Sequence, residues 1–386
     1  MKEDIVEQAA LGWFEALGYD TARGADISVG ADYPLRESYE DVVLLPRLKA
    51  ALRKLNPDLP EDAIVQAATI ACRPPEPTLE QNNRWFHRLL TDGADVDYRT
   101  ADGETRGDKA KLFDWHNLSA NDFLVVRQLT IKNGEYTRRP DLVVFLNGLP
   151  VAVIELKDPT NEEATLWTAF DQLQDYKTAI PSLFAYNEIL IVSDGDQSRV
   201  GSLTADQDRF TPWRSIKDDS FPGEPTLETV INGLFRRDAL LDYLAHCIVF
   251  EEDERTGRII KKIAGYHQFR AVRKARERVT LALKPEGDGR GGVVWHTQGS
   301  GKSLTMLMLS GALIGDVALQ NPTIVVVTDR NDLDGQLFGT FADGRALLRQ
   351  DPEQAADRED LSNKLNRASG GVIFTTIQKF EERAEP

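Results

Sequence analysis

The sequence predicts an α/β protein of two units, a mixed sheet with flanking helices followed by part of a P-loop domain. Three observations carry this. The run Val151-Ala-Val-Ile-Glu-Leu-Lys157 has strand character and places Glu155 and Lys157 two positions apart. Gly291 to Ser303 reads as a short apolar strand, a glycine-containing loop and the start of an apolar helix. The first hundred residues read as mostly helical, whereas strands dominate from Phe123 to about Leu203.

In chain order, the spacing of Ile5, Ala9, Trp13 and Leu17 predicts an opening helix that ends at Gly18 and carries Glu7 and Gln8. Further helices are expected over Tyr39–Leu55, Glu61–Ala71 and Glu80–Leu90, separated by breaks at Asn56-Pro57 and Arg73-Pro-Pro-Glu-Pro77. Arg139–Leu146 then reads as a strand, Asn147-Gly148 as a tight turn, and Val151–Lys157 as the antiparallel return strand. A helix should follow from about Glu163 to Ile180, with Gln172 and Tyr176 four residues apart on one face. Asp218 to Pro225 is a loop, and Thr226–Asp253 is helical at first and joins the units. Gly287-Asp-Gly-Arg-Gly-Gly292 punctuates the entry to the P-loop strand. The expected division is 1–237, a connector 238–262, and 263–386.

Successive side chains of a strand alternate faces, so Glu155 and Lys157 point the same way out of an apolar stretch. Buried charge is costly unless paired or bound to a metal. The hairpin brings Glu155 alongside Asp141, and two converging carboxylates suit Mg²⁺, a hard cation that keeps several waters and can activate one. Lys157 would orient that water or offset charge on a phosphate. The plainer reading is a salt bridge at a sheet edge. For Glu7 the plainer reading, a solvated helix carboxylate, is favoured.

In the second unit, the backbone of Thr297-Gln298-Gly299-Ser300-Gly301 can cradle phosphates. Lys302 can reach the β- and γ-phosphates of a nucleotide, and Ser303 can ligate Mg²⁺. His296 stands where the strict motif has glycine. Thr323–Asp329 and Val372–Thr376 read as apolar strands whose carboxyl ends carry Thr328-Asp329-Arg330 and Thr375-Thr376, where ligands of parallel sheets gather.

Net charge is −16, from 46 basic and 62 acidic residues, so an anionic partner must be met by local patches. One candidate runs from Arg255 to Lys284, with ten Lys or Arg against the single acid Glu277, and it sets Arg270, Arg273 and Lys274 on one helical face. Acidic stretches such as Glu251-Glu-Asp-Glu254 would repel a nonspecific polyanion. Two cysteines, Cys72 and Cys247, and five histidines form no disulfide or zinc pattern, which favours a reducing cytoplasm. No apolar run approaches membrane-spanning length, and no secretory signal opens the chain.

Pro140-Asp141, thirteen residues, Glu155, one residue and Lys157 resemble the PD-(D/E)xK nuclease core, and Gln172 with Tyr176 resembles the QxxxY element of one branch of it. Tyr266-His267-Gln268 resembles a Q-motif, in which Gln268 would read adenine, and the two later strand ends resemble helicase motifs Ia and Ib. Together with Arg139-Pro-Asp-Leu-Val-Val, Ile154-Glu-Leu-Lys157 and Thr297-Gln-Gly-Ser-Gly-Lys-Ser303, these make the chain similar to the restriction subunit of type I restriction-modification enzymes.

That resemblance implies a PD-(D/E)xK restriction-endonuclease-like mixed sheet and a partial RecA-like lobe, with Mg²⁺ and ATP as cofactors. It also implies double-stranded DNA as substrate and modification (methyltransferase) and specificity subunits as partners. Asp141, Glu155 and Lys157 would be catalytic, supported by Gln172 and Tyr176. Glu7 would be an additional metal ligand, and Arg270, Arg273, Lys274, Thr328, Arg330 and Thr376 would contact DNA. No strand running into an Asp-Glu pair follows Gln378, so an N-terminal fragment is expected. The competing readings are an ATP-dependent helicase-nuclease of DNA repair and a non-catalytic docking fragment.

Overall fold

The computed structural model describes residues 3–100, 102–158, 165–217, 222–253, 255–329 and 331–380. They fall into two compact units, Met1–Ala245 with Ile259–Lys261, and His246–Arg258 with Lys262–Pro386.

The first unit opens with α1 (Glu3–Ala16) and β1 (Asp20–Arg23), then α2 (Leu45–Leu55), α3 (Glu61–Ala71) and α4 (Leu79–Asp92). A hairpin of β2 (Ala94–Arg99) and β3 (Thr105–Ala110) leads to β4 (Phe123–Arg127), and β5 (Ile131–Asn133) pairs with β6 (Tyr136–Arg138). Next come β7 (Leu142–Leu146), β8 (Leu149–Leu156), α5 (Leu166–Ala179), α6 (Pro181–Phe184), β9 (Ile189–Ser193) and β10 (Ser198–Gly201). α7 (Leu227–Leu234) and α8 (Arg237–His246) follow.

Six strands form one mixed sheet in the order β1-β4-β7-β8-β9-β10, with β1 parallel to β4, β8 parallel to β9, and the other pairs antiparallel. Every residue of β7, β8 and β9 is buried, which is why the sequence there is a near-continuous apolar run and not an alternation. The β7–β8 turn is the one expected: Asn147 and Gly148 have φ of 53° and 79°, the left-handed pair that a two-residue hairpin requires. Asn147 suits this because its buried side chain accepts from Asp122 N at 2.7 Å and donates to Leu112 O at 2.8 Å. At Gly148 a Cβ would lie 2.6 Å from Leu44 O and 2.7 Å from Leu48 N, so helix α2 closes over the turn only because no side chain is there.

Three helix expectations change. α2 starts at Leu45 and not Tyr39, because Pro46 belongs in a first turn, where its missing N–H breaks no bond. The buried face of α1 is Val6, Ala10 and Phe14, while Ile5 is 50% exposed, so the expected apolar stripe is one residue out of phase. Phe14 packs edge-on against Tyr19 and Phe235, and the Tyr19 hydroxyl donates to Phe235 O at 2.8 Å. α5 begins at Leu166 behind Thr165; residues 159–164, which include the expected start at Glu163, and the loop core 218–221 lie outside the described residues.

The basic stretch also loses a member. Lys261, 2% exposed, lies in the first unit and donates to Asn83 Oδ1 at 2.9 Å, Asn187 O at 2.8 Å and Glu188 Oε2 at 2.6 Å. Its three ammonium donors thus meet three acceptors, the condition under which a buried cation is tolerated.

The second unit holds β11 (Ile248–Glu252), the end of β12 (Ile259–Ile263), α9 (Tyr266–Ala282) and α10 (Lys302–Gly315). After them come β13 (Ile324–Thr328), α11 (Asn331–Asp343), α12 (Arg345–Leu348), β14 (Glu353–Gln354), α13 (Arg358–Leu365) and β15 (Val372–Thr376). β13, β15 and β14 form a parallel sheet in that order, with Thr328 in register with Thr376, and Phe374 packs edge-on against Phe338 and Phe341. The strand expected before the phosphate loop does not form. Val293 and Trp295 are 91% and 90% exposed, and among the described residues no strand pairs with theirs, so the run has no neighbouring strand to hold it in a ladder. No helix among the described residues is long and apolar enough to cross a membrane.

Removing one partner of a buried ion pair strands the other. Lys261→Ala should therefore lower the stability of the first unit by about 3–5 kcal/mol in chemical denaturation; a loss under about 1 kcal/mol would remove the cluster from the account of its stability.

Candidate functional site

Leu142 lies opposite Ile154 at the end of the β7–β8 ladder, so Asp141 and Glu155 come next, side by side just beyond it. Asp141 precedes β7 rather than sitting within it, and its Oδ2 accepts from Leu156 N at 2.7 Å. Glu155 is fully buried, and Lys157, 8% exposed, continues past β8 with its backbone N–H donating to Ser193 O at 2.8 Å. Lys157 Nζ donates to Glu155 Oε1 at 3.2 Å and to Gln172 Oε1 at 2.5 Å, and Gln172 Nε2 donates to the Tyr176 hydroxyl at 2.5 Å. The structure thus brings Asp141, Glu155, Lys157, Gln172 and Tyr176 into one connected group.

The group is electrostatically tense. Burial, and then the neighbouring Asp141 carboxylate, pushes the Glu155 carboxyl well above the usual carboxylate range, with Lys157 pulling the other way. Among the described residues, the buried Glu155 Oε2 has no hydrogen-bond partner, which costs about 1–3 kcal/mol for a polar atom so placed. Burial and the Glu155 charge likewise raise the Tyr176 phenol, so it stays protonated at neutral pH.

Glu7 is not the solvated carboxylate favoured from the sequence. It is 4% exposed on the inner face of α1, its Oε2 lies 3.2 Å from Arg127 Nε, and its Oε1 accepts from Gln128 Nε2 at 2.6 Å. The same Gln128 nitrogen donates to Asp141 Oδ1 at 3.2 Å, so Glu7 is joined to the acidic pair through an amide. A cleft of about 490 Å³ opens beside it, lined in part by Glu7, Arg23, Arg127, Gln128 and Arg139. The sequence reading did not single out Gln128 or these arginines. Arg139 adjoins the Pro140-Asp141 pair and was the one visible signal; nothing in sequence tied β1 and the end of β4 to the site.

The donor set can be tested for a divalent cation. Among the described residues no group of three or more His, Cys, Asp or Glu is arranged to hold a metal. Two carboxylates, one of them with an orphaned buried oxygen, nevertheless fit Mg²⁺, which takes one or two carboxylates and completes its shell with water.

In the second unit Gly299 and Gly301 have φ of 80° and 76°, shaping the loop ahead of α10. Lys302 Nζ donates to Thr297 O at 2.9 Å and His296 O at 3.3 Å, so the loop is folded on its own lysine. Ser300 donates to the same Thr297 carbonyl, Ser303 is half-buried in the first turn of α10, and Gln298 is exposed. Gln268 is 6% exposed and fully engaged with backbone: Nε2 donates to Gly301 O at 3.1 Å and Oε1 accepts from Gly265 N at 2.9 Å. It buttresses the loop here, and its amide is not directed at solvent as an adenine reader's would be. Arg270, Arg273 and Lys274 lie along α9, with Arg273 over the Phe269 ring at 5.5 Å. Thr328 is half-buried and Thr376 is 3% exposed, so the Thr376 side chain is closed to a DNA backbone. Arg330 and Glu254 lie outside the described residues.

An acidic pair with a lysine on a mixed sheet, followed along the chain by a phosphate-binding turn, resembles enzymes that join a nuclease to a helicase-like motor. Residues 1–209 match the family described as Type I restriction enzyme R protein N terminus, and residues 267–386 match the SWI2/SNF2 ATPase family. The chain belongs to the type I restriction enzyme R protein family.

It is 45% identical over 89% of its length to the Type I restriction enzyme HindI endonuclease subunit of Haemophilus influenzae, covering 33% of that protein. It is 34% identical over 92% of its length to the putative type I restriction enzyme MjaIXP endonuclease subunit of Methanocaldococcus jannaschii, covering 35% of that protein. A putative MjaVIIIP endonuclease subunit from the same archaeon is 29% identical over 71% of the chain and 27% of its own length. The chain thus spans about a third of the length of the curated relatives it matches.

The raised Glu155 carboxyl sets a pH-dependent prediction. Below the ordinary carboxylate range both folded and unfolded chains hold the proton and no penalty exists; as pH rises through that range, only the folded state resists ionisation. Glu155→Gln should therefore stabilise the metal-free chain by about 1–3 kcal/mol at pH 8, with the gain fading toward pH 4 in thermal or urea unfolding. A gain independent of pH would contradict the assignment.

Proposed function

We propose that this chain carries the DNA-cutting centre of a type I restriction subunit on a PD-(D/E)xK-type sheet, together with the nucleotide-binding part of a RecA-like motor lobe. The observation that carries the reading is the buried Glu155, which accepts from Lys157 through Oε1 and lies beside the Asp141 carboxylate, while its Oε2 has no hydrogen-bond partner among the described residues. Asp141 and Glu155 would hold Mg²⁺, which when bound supplies a water acidified for attack on a phosphodiester. Lys157, fixed by Glu155 and Gln172, would sit beside the scissile phosphate and offset its growing charge. Gln172 and Tyr176 hold that ammonium in place through the hydrogen bonds described above.

Double-stranded DNA is the proposed substrate, with modification and specificity subunits as partners and the cytoplasm as the place of action. ATP would bind at Thr297–Ser303 once Lys302 leaves the loop carbonyls it now caps. In the full-length protein, hydrolysis would drive movement along DNA. The relatives' names as endonuclease subunits support this reading over the repair nuclease and the docking fragment.

In a complex reconstituted with its partner subunits, Asp141→Ala and Lys157→Ala should each cut cleavage by at least about a hundredfold while ATP turnover persists. Retained cutting in both variants rejects the site. Lys302→Ala should weaken binding of a non-hydrolysable ATP analogue by more than about tenfold, since it removes the cation facing the β- and γ-phosphates. Equal affinity would assign the loop a structural role.

A further inference from the structure

Gln128 ends β4 with a backbone few residues adopt. Its φ is +56°, left-handed for a residue with a side chain, and such conformations persist where surrounding contacts demand them. Two contacts demand it here. Its N–H donates to Asp141 O at 2.8 Å, and its carbonyl runs so close to Gly24 that a Cβ there would lie 2.3 Å from Gln128 O and 2.7 Å from Leu129 Cα. The bend aims the side chain between two carboxylates, with Nε2 donating to Glu7 Oε1 at 2.6 Å and to Asp141 Oδ1 at 3.2 Å. Arg127, the preceding residue, reaches the other Glu7 oxygen and Asp4. Glu7 is therefore paired with an arginine and hydrogen-bonded by an amide, and that one amide N–H₂ links Glu7 to Asp141.

We infer that Gln128 is a positioning residue of the nuclease centre: its amide fixes the Asp141 carboxylate and stands in for a bridging cation, so the site takes one divalent ion, between Asp141 and Glu155, and Glu7 is not a ligand. This rests on the nuclease reading above. The backbone hydrogen bond from Leu156 N holds one Asp141 oxygen and Gln128 holds the other, so the carboxylate plane is set before any ion arrives. Gly24 belongs to the same device, since only a residue without Cβ admits the bent end of β4.

The test uses Mn²⁺ as the probe ion, titrated into this chain and followed by the electron paramagnetic resonance of the free ion. Gln128→Asn is the informative variant: asparagine tolerates the left-handed backbone, but its amide is one methylene short of its partners. Gln128→Gly keeps the bend without any amide, and circular dichroism checks that both variants fold. Wild type should bind one Mn²⁺ at this site, lost in Asp141→Ala, and both Gln128 variants should bind it about tenfold more weakly. In the reconstituted complex, kcat for cleavage should fall by a similar factor with KM for DNA unchanged.

Mn²⁺ binding by Gln128→Asn within twofold of wild type overturns the inference, as do two ions in wild type that both disappear in Asp141→Ala. A wild-type ion indifferent to Asp141→Ala, or no ion bound at millimolar Mn²⁺, overturns the nuclease reading itself and this inference with it. An unchanged Gln128→Asn alongside a lost ion in Asp141→Ala removes only the role given to Gln128.

Discussion

The first unit depends on holding a carboxylate on a strand that is otherwise entirely apolar, with an ammonium just past the strand's end. β8 lies in the middle of the sheet with every residue buried, and Glu155 interrupts its hydrophobic run at a position where leucine or valine would fold more easily. Burial alone drives Glu155 toward its neutral form, Asp141 drives it further, and Lys157 offsets only part of that. A fold that keeps such a residue spends stability on a place where a divalent ion would relieve the repulsion.

That constraint explains features which look unrelated in sequence. Asp141 meets Glu155 because the Asn147-Gly148 turn pairs Leu146 with Leu149 and a one-residue register shift between Val144 and Phe145 then sets Leu142 opposite Ile154, and that turn fits beneath α2 only because Gly148 has no Cβ. Lys157 points back at Glu155 because α5 brings Gln172 and Tyr176 to its other side. At the far edge of the acidic pair, the end of β4 bends at Gln128 and needs Gly24 beside it. Turn, helix and strand end each place one polar atom, and each tolerates little substitution for a reason that can be stated in ångströms.

What could be read from sequence was whatever is local. The hairpin, the Glu155 and Lys157 spacing, the Gln172 and Tyr176 pair and strand β15 depend on neighbours within a few residues, and the structure has them where the periodicity put them. Glu7 failed because an amphipathic stripe fixes a helix face only to within one residue's rotation, about 100°, enough to exchange a solvated carboxylate for a buried one. Lys261 failed because a lysine in a basic run gives no sign of Glu188 and Asn187 some seventy residues earlier. Gln128 and Gly24 meet across β1 and β4, a parallel pair whose register no turn specifies. The run before the phosphate loop failed in the opposite sense: Val293 to Trp295 has the composition of a strand, but composition makes a strand only where another strand accepts its hydrogen bonds.

Charge then limits how such a site can work. At −16 the chain repels DNA at long range, and the stretch from Arg255 to Lys284 is less basic than its sequence suggests, with Lys261 buried against Glu188 and Arg278 paired with Asp288. Near the acidic pair the charge is more even, because Arg23, Arg127 and Arg139 line the cleft beside Gln128 against Glu7 and Asp4, both of which Arg127 contacts. On the proposed function, an acidic surface with arginines lining a cleft beside the proposed cutting centre would admit a phosphate backbone that is brought to it and discourage one that diffuses past. Cutting would thereby be coupled to delivery, which is the behaviour required of a nuclease that must spare the DNA around it.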